Sequence, residues 1–219
     1  MIVCIDGPAG AGKSTAAREL ARRLGFRFLD TGAMYRAVAL AAVEAGLDLA
    51  DEEELARFAQ SQQIELSGDR VILNGQDVTG EIRTTRITSI THYAASNPAV
   101  RMQLVQLQRK AAGEDNIVTE GRDQGTVVFP QAECKFFLTA SPEERARRRK
   151  QDLASRGEVV DYEEILRQQN LRDERDRSRD VGPLIPADDA LHVTTDGRTP
   201  AEVMAELESI VRQKLVTQT

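Results

Sequence analysis

The run Gly7-Pro8-Ala9-Gly10-Ala11-Gly12-Lys13-Ser14-Thr15 follows directly on the apolar stretch Ile2-Val3-Cys4-Ile5, and this junction confines the chain to few folds. The spacing Gly, four residues, Gly-Lys-Ser has meaning only after a buried strand and before a helix, and both flanks are present. Glycines let backbone N–H groups turn inward as an anion nest, and the start of the next helix adds its positive dipole end. Lys13 is then placed to bridge β- and γ-phosphate oxygens, and the Ser14 hydroxyl to take one position on a Mg²⁺ ion. Gly7 to Thr15 are therefore expected to grip a nucleoside triphosphate such as ATP.

Beyond this loop, strand and helix patterns alternate. Ala16, Leu20, Ala21 and Leu24 recur at helical spacing until Gly25, Phe26 to Leu29 reads as a strand, and Thr31 to Ala45 as a helix with Thr31 at its N-cap. A capped helix is expected over 51–61. Between Ile64 and Gly80, short β runs separated by Ser67-Gly68-Asp69 and Asn74-Gly75 indicate a small antiparallel insert. Pro98 opens a helix to about Ala112; Ile117 to Thr119 and Lys135 to Thr139 are apolar strands. Charged helices follow over 142–155 and 161–179, then a strand at 191–194 and a last helix over 199–215. Such alternation implies an α/β fold, a parallel sheet with helices on both faces, and ligands beyond the carboxyl ends of the strands. Three polar segments sit at such ends and are expected to converge: the glycine-rich loop, Asp30 to Arg36, and Glu120 to Thr126.

The 219 residues suit one domain with small insertions, and no window has the length of an apolar membrane span. No signal peptide precedes the first strand, so a cytosolic location is expected. Cys4 and Cys134 lie in strand-like runs without metal-ligand spacing and are expected to be buried, reduced thiols. A net charge of −6 argues against a nucleic-acid partner, which needs a basic surface.

The loop alone leaves several chemistries open. A guanine-reading Asn-Lys-x-Asp is absent, and Asp77-Val78-Thr79-Gly80 falls in the insert, where it reads as a turn. A motor ATPase would end a strand in a carboxylate that activates water, whereas here Thr119-Glu120-Gly121 leads into Arg122-Asp123. Small-molecule kinases remain, with a switch or nucleic-acid ATPase as the distant rival. A hydroxyl acceptor needs a general base; a phosphate acceptor is already nearly dianionic and needs guanidinium groups against its repulsion from the donor. Arg36, Arg101, Arg122, Arg172 and Arg179, spread over separate elements, favour the phosphate acceptor.

The loop together with Asp-Thr-Gly-Ala-Met-Tyr-Arg at 30–36, Thr-Glu-Gly-Arg-Asp-Gln-Gly-Thr-Val-Val-Phe-Pro at 119–130 and Arg-Asp-Glu-Arg-Asp-Arg-Ser-Arg at 172–179 resembles the bacterial cytidylate kinase family, over nearly the whole chain. The resemblance implies a P-loop nucleoside monophosphate kinase fold with five parallel strands in one domain of three parts. These are a core (1–30, 113–140, 181–219), an acceptor-binding region (31–112) whose insert spans 64–83, and a lid (141–160). It implies a monomer that transfers phosphoryl from ATP, with Mg²⁺, to CMP or dCMP; UMP, AMP and shikimate are the acceptors of alternative kinases of this fold. By the same resemblance Arg36, Arg122 and Arg179 hold the acceptor phosphate, Thr31 and Tyr35 line its pocket, Arg172 and Asp176 meet the pentose, and Arg101 and Asp123 read cytosine. Arg148 and Arg149, in the lid cluster with Arg145 and Arg147, are expected on the ATP phosphates, and Lys13, Arg122 and Arg179 carry the catalytic role. Seven-residue spacing puts Arg172 and Arg179 on one helix face, with Asp176. His92 departs from the family pattern, which has serine against the base at that place, and His192 is expected to pack.

Overall fold

The computed structural model describes residues 1–155 and 157–217. Residue 156, in the expected lid, and residues 218–219, at the end of the expected core, lie outside the described residues. In chain order the elements are β1 (Ile2–Asp6), α1 (Lys13–Leu24), β2 (Arg27–Leu29), α2 (Thr31–Glu44), α3 (Glu52–Gln60), β3 (Ile64–Ser67), β4 (Arg70–Leu73) and β5 (Gln76–Asp77). There follow α4 (Thr85–Ser96), α5 (Pro98–Ala112), β6 (Ile117–Gly121), β7 (Cys134–Thr139), α6 (Pro142–Ser155), α7 (Tyr162–Arg177), β8 (Leu191–Thr194) and α8 (Pro200–Thr217). The five-stranded sheet has the order β2-β6-β1-β7-β8, and the insert is a separate sheet, β3-β4-β5.

The chain forms two compact units, residues 1–26 with 116–219, and residues 27–115. In the first, β1 pairs in parallel with β6 on one side and β7 on the other, and β7 with β8. A parallel sheet covered on both faces demands continuous apolar strands, and Val3, Cys4, Ile5, Ile117, Val118, Phe136 and Leu138 have no exposed surface. The register sets Asp6 beside Gly121 and Phe137, so the segments leaving β1, β6 and β7 emerge at one edge. α1 stops where Gly25 turns left-handed, its N–H bonded to the Ala21 carbonyl. Both cysteines are buried free thiols, and burial pushes the Cys4 thiol well above its ordinary range. His192 does not pack inside: it is exposed on the edge strand β8, its ring 5.5 Å from that of Phe137.

The second unit is built around α2, whose alanine-rich sequence buries ten of its side chains among Leu55, Ile64, Val71, Ile82, Ile87 and Leu104. Asp30, not Thr31, is the N-cap, accepting from Ala33 N at 2.9 Å, and Thr31 is the first helical residue. An N-cap needs non-helical backbone, which Asp30 has (φ −79°, ψ 85°) and the helical Thr31 lacks. β3 and β4 pair antiparallel with Asn74-Gly75, both at positive φ, turning the chain into β5. α4 has no counterpart among the elements expected from the sequence. Its β-branched Thr85, Ile87, Thr88, Ile90 and Thr91 disfavour helix, and the Thr84 cap and burial of Ile87 and Ala94 override that preference. Asn97 caps α5 through Ala99 N and Val100 N.

Two loop glycines separate steric need from conformational need. At Gly7 (φ 146°) a Cβ would lie 2.0 Å from the Leu138 carbonyl oxygen, whereas at Gly12 (φ 90°) it would meet nothing within 4 Å. Gly12→Ala is expected to cost about 1–2 kcal/mol of left-handed strain. Gly7→Ala must displace β7 backbone and should cost clearly more, ~4 kcal/mol, placing it in the exceptional class. Urea unfolding midpoints measure both, and equal shifts would contradict the close-approach argument.

Candidate active site

In the first unit the residues that follow β1, β6 and β7 gather around the glycine-rich loop. Gly7, Gly10 and Gly12 all hold positive φ, which turns the loop about the amino end of α1. Lys13, the first residue of α1, is buried, and its Nζ donates back to the Pro8 carbonyl at 2.8 Å. Burial, and after it the Arg122 charge, pulls the Lys13 ammonium down to about 7. Ser14 Oγ donates to Glu120 Oε1 at 2.8 Å, so a hydroxyl and a carboxylate stand together beside the loop. That pair fits a Mg²⁺ ion, which takes one or two protein oxygens and fills its remaining places with phosphate oxygens and water.

Past β6 the chain enters a single π-helical turn, Gln124–Val128, of a kind that often marks functional sites. Asp6 anchors it: the buried carboxylate accepts from Gln124 N at 2.9 Å and Gly125 N at 2.7 Å. Desolvation raises the Asp6 carboxyl to about 6 although these two bonds oppose it. The anchored turn fixes Arg122 and the buried Asp123 immediately before it.

Asp176 collects the arginines. Arg122 Nε donates to its Oδ2 at 2.7 Å, and Arg179 Nη2 to its Oδ1. Burial pushes the Asp176 carboxyl up, but Arg122, Arg179 and Arg172 together outweigh burial and hold it below the ordinary range. Arg172, an exposed residue near the end of α7, is drawn down to about 10, by desolvation first and by the Arg122 charge second. Arg179 does not share a helix face with Arg172. α7 ends at Arg177 with Ser178 as cap, and Arg179 turns back to Asp176 from the loop beyond. Arg148 is held by Glu144 at 2.7 Å and by Thr195, and Arg149 by Asp152 at 3.0 Å.

The second unit carries its own set. Asp30 holds Arg36 at 3.2 Å and lies 3.8 Å from Arg83. Thr31 and Tyr35 are buried on α2, and the buried Arg101 guanidinium lies 5.4 Å over the Tyr35 ring while donating to the Ala95 carbonyl at 2.9 Å. His92 Nδ1 bonds the Ser89 carbonyl at 2.8 Å, and its ring lies 4.2 Å from that of Tyr93.

Asp6 carries no expected role from the sequence, Glu120 enters only as the start of a converging segment, and Arg145 only as one of the lid cluster. Asp6 and Glu120 each end an apolar strand run at the sheet edge, a place where a carboxylate has no packing reason to be. Arg145 stands next to Ala146 and eight residues before Leu153, on the buried face of α6, where an arginine is out of pattern. Among the described residues no helix is long and apolar enough to cross a membrane, and no group of three or more His, Cys, Asp or Glu could hold a metal ion.

Residues 3–213 match the cytidylate kinase family. The cytidylate kinase of Rhodopirellula baltica is 54% identical over 97% of this chain and 93% of its own length. That of Carboxydothermus hydrogenoformans is 47% identical over 98% of both. Among solved structures, a gluconokinase from Sinorhizobium meliloti shares the fold with a TM-score of 0.51 at 16% identity, covering 99% of this chain and 96% of that one.

The Asp6 anchor makes a prediction for stability. Its carboxyl titrates near 6 in the folded chain and near 3.8 when unfolded. The folded state therefore holds the proton more tightly, and this contribution, present in acid, is lost as pH rises through 6. The unfolding free energy of the parent minus that of Asp6→Asn should fall by about 2.4 kcal/mol between pH 4 and pH 7. A difference independent of pH would contradict the buried-carboxylate reading.

Proposed function

The chain belongs to the cytidylate kinase family and phosphorylates CMP with ATP, and from that premise we propose how its residues divide the work. Gly7 to Thr15 hold the ATP phosphates on their backbone N–H groups, with Lys13 turning from the Pro8 carbonyl to the β- and γ-oxygens. Ser14, supported by Glu120, holds Mg²⁺ together with the nucleotide. When bound, a Mg²⁺ ion held there would supply charge neutralisation for the phosphates. Arg36, Arg122 and Arg179 hold the phosphate of CMP, and the last two aim its attacking oxygen. No general base is required, because that phosphate is already nearly dianionic at neutral pH.

Cytosine is read by Arg101 and Asp123. A carboxylate accepts from the N4 amino group while a guanidinium donates to O2 and N3; uracil presents the opposite pattern at positions 3 and 4. Thr31 and Tyr35 line the pocket, Arg172 and Asp176 meet the pentose, and dCMP is read as a second acceptor from the family resemblance. Arg148 and Arg149 exchange Glu144 and Asp152 for ATP phosphates as the lid, residues 141–160, closes and excludes water. We read the enzyme as a monomer of the cytosol, serving pyrimidine nucleotide metabolism; the net charge of −6 supports a small nucleotide over nucleic acid as its partner.

The single observation that supports this division is Asp176 holding Arg122 and Arg179 together in the same unit as Lys13, since clustered cations suit an acceptor that is itself a phosphate anion. Coupled assays of ADP release over CMP, dCMP, UMP, AMP, GMP and shikimate should show CMP and dCMP well ahead. Arg122→Met should lower turnover with every monophosphate by 100-fold or more, about 2.7 kcal/mol of lost transition-state stabilisation. Arg101→Met should instead reduce the preference for CMP over UMP and AMP. Equal, small losses in both variants would overturn the division.

A further inference from the structure

Arg145 is the most deeply buried arginine of the lid cluster, 2% exposed, and it points away from the position at which lid arginines would meet solvent. Its Nε donates to the Ala140 carbonyl at 3.0 Å, its Nη1 to the Ala9 carbonyl at 2.9 Å, and the same Nη1 lies 2.7 Å from Asp173 Oδ2, a carboxylate equally buried. One guanidinium thus joins the end of β7, α7 and the middle of the glycine-rich loop. A buried ion pair is weak grounds for a stabilising role, because desolvation of both charges offsets their attraction. The geometry offers another role.

An anion nest works only while the loop's N–H groups face the anion and its carbonyls face away. The peptide between Ala9 and Gly10 is the weak point. Gly10, at φ 79°, tolerates either hand, so this peptide is free to flip and would then direct a carbonyl dipole at the phosphates. Lys13 holds the preceding carbonyl, of Pro8, but must release it to meet the nucleotide. The Ala9 carbonyl is held by a group with no such duty. Contact is close: a Cβ at Gly10 would lie 3.3 Å from Arg145 Cβ.

We propose that Arg145 is a positioning residue that locks the Ala9–Gly10 peptide in the anion-binding orientation, with Asp173 fixing the guanidinium. The inference rests on the assignment of the Gly7–Thr15 loop to ATP. Its test reads the dissociation constant of an imido-bridged, non-hydrolysable ATP analogue with Mg²⁺ by calorimetry, beside the melting temperature, in three variants. Arg145→Lys keeps a charge for Asp173 but cannot serve both carbonyls, and should bind the analogue at least tenfold more weakly. Arg145→Met with Asp173→Leu removes both buried charges, so its melting temperature should return to within a few degrees of the parent while the weak binding persists. If the double variant does not fold, Arg145→Lys decides alone. Recovery of binding along with stability in the double variant, or parental binding in Arg145→Lys, would overturn the proposal. Lys13→Met separates the two readings: weak binding there beside parental binding in the Arg145 variants removes only the lock, whereas parental binding in Lys13→Met removes the loop assignment itself.

Discussion

Like charges held close together are the constraint around which the first unit is organised. Lys13, Arg122, Arg172 and Arg179 are near enough to depress or reshape one another's acidity, and without nucleotide they would push apart. Carboxylates prevent this. Asp176 takes Arg122 and Arg179, Glu120 takes the Ser14 hydroxyl and draws on the Lys13 charge, and Asp173 takes Arg145. Two of these carboxylates lie one turn apart on α7, so a single helix steadies both the donor loop and the arginines assigned to the acceptor. The site is thereby preorganised for anions before any anion arrives, the condition under which electrostatic stabilisation costs no rearrangement during reaction.

The sheet supplies the rigidity this needs. β1 is central, paired on both sides, and the loops leaving β1, β6 and β7 inherit its register. Gly7 crosses so near the Leu138 carbonyl that no side chain fits, and Asp6 reaches sideways to the π-helical turn. Position in the first unit is therefore set by backbone: strand register, carbonyls gripped by Lys13 and Arg145, and N–H groups gripped by Asp6. Functional side chains then need little freedom of their own, and α2 in the second unit treats Tyr35 and Thr31 likewise by burying them.

Much of this was legible in the residues. The glycine-rich loop, the alternation of strands and helices, the insert and the boundaries of α5, α6 and β8 follow from local spacing and caps, and local rules suffice for them. The sheet order does not follow from local rules. Neither does α4, whose threonines and isoleucines form a helix only because Ile87 and Ala94 are buried. The arginines of the site could be named from their types, but their partners could not. Arg179 reaches Asp176 from beyond the helix end, and Arg145 turns inward while its neighbours Arg147, Arg148 and Arg149 pair on the surface. Charge runs obscure such exceptions, and only the apolar spacing of Ala146 and Leu153 on α6 sets Arg145 apart from the arginines beside it.

In the proposed division of work, Asp176 sets the arginines assigned to the acceptor phosphate, beyond any contact it makes with the pentose. Steady-state kinetics of Asp176→Asn with CMP at saturating ATP test it most directly, provided the circular dichroism spectrum shows a folded chain. A group that touched only the pentose would raise KM and leave kcat in place. Here kcat itself should fall by 100-fold or more, because Arg122 and Arg179 lose the carboxylate that aims them. An unchanged kcat with a raised KM would contradict it.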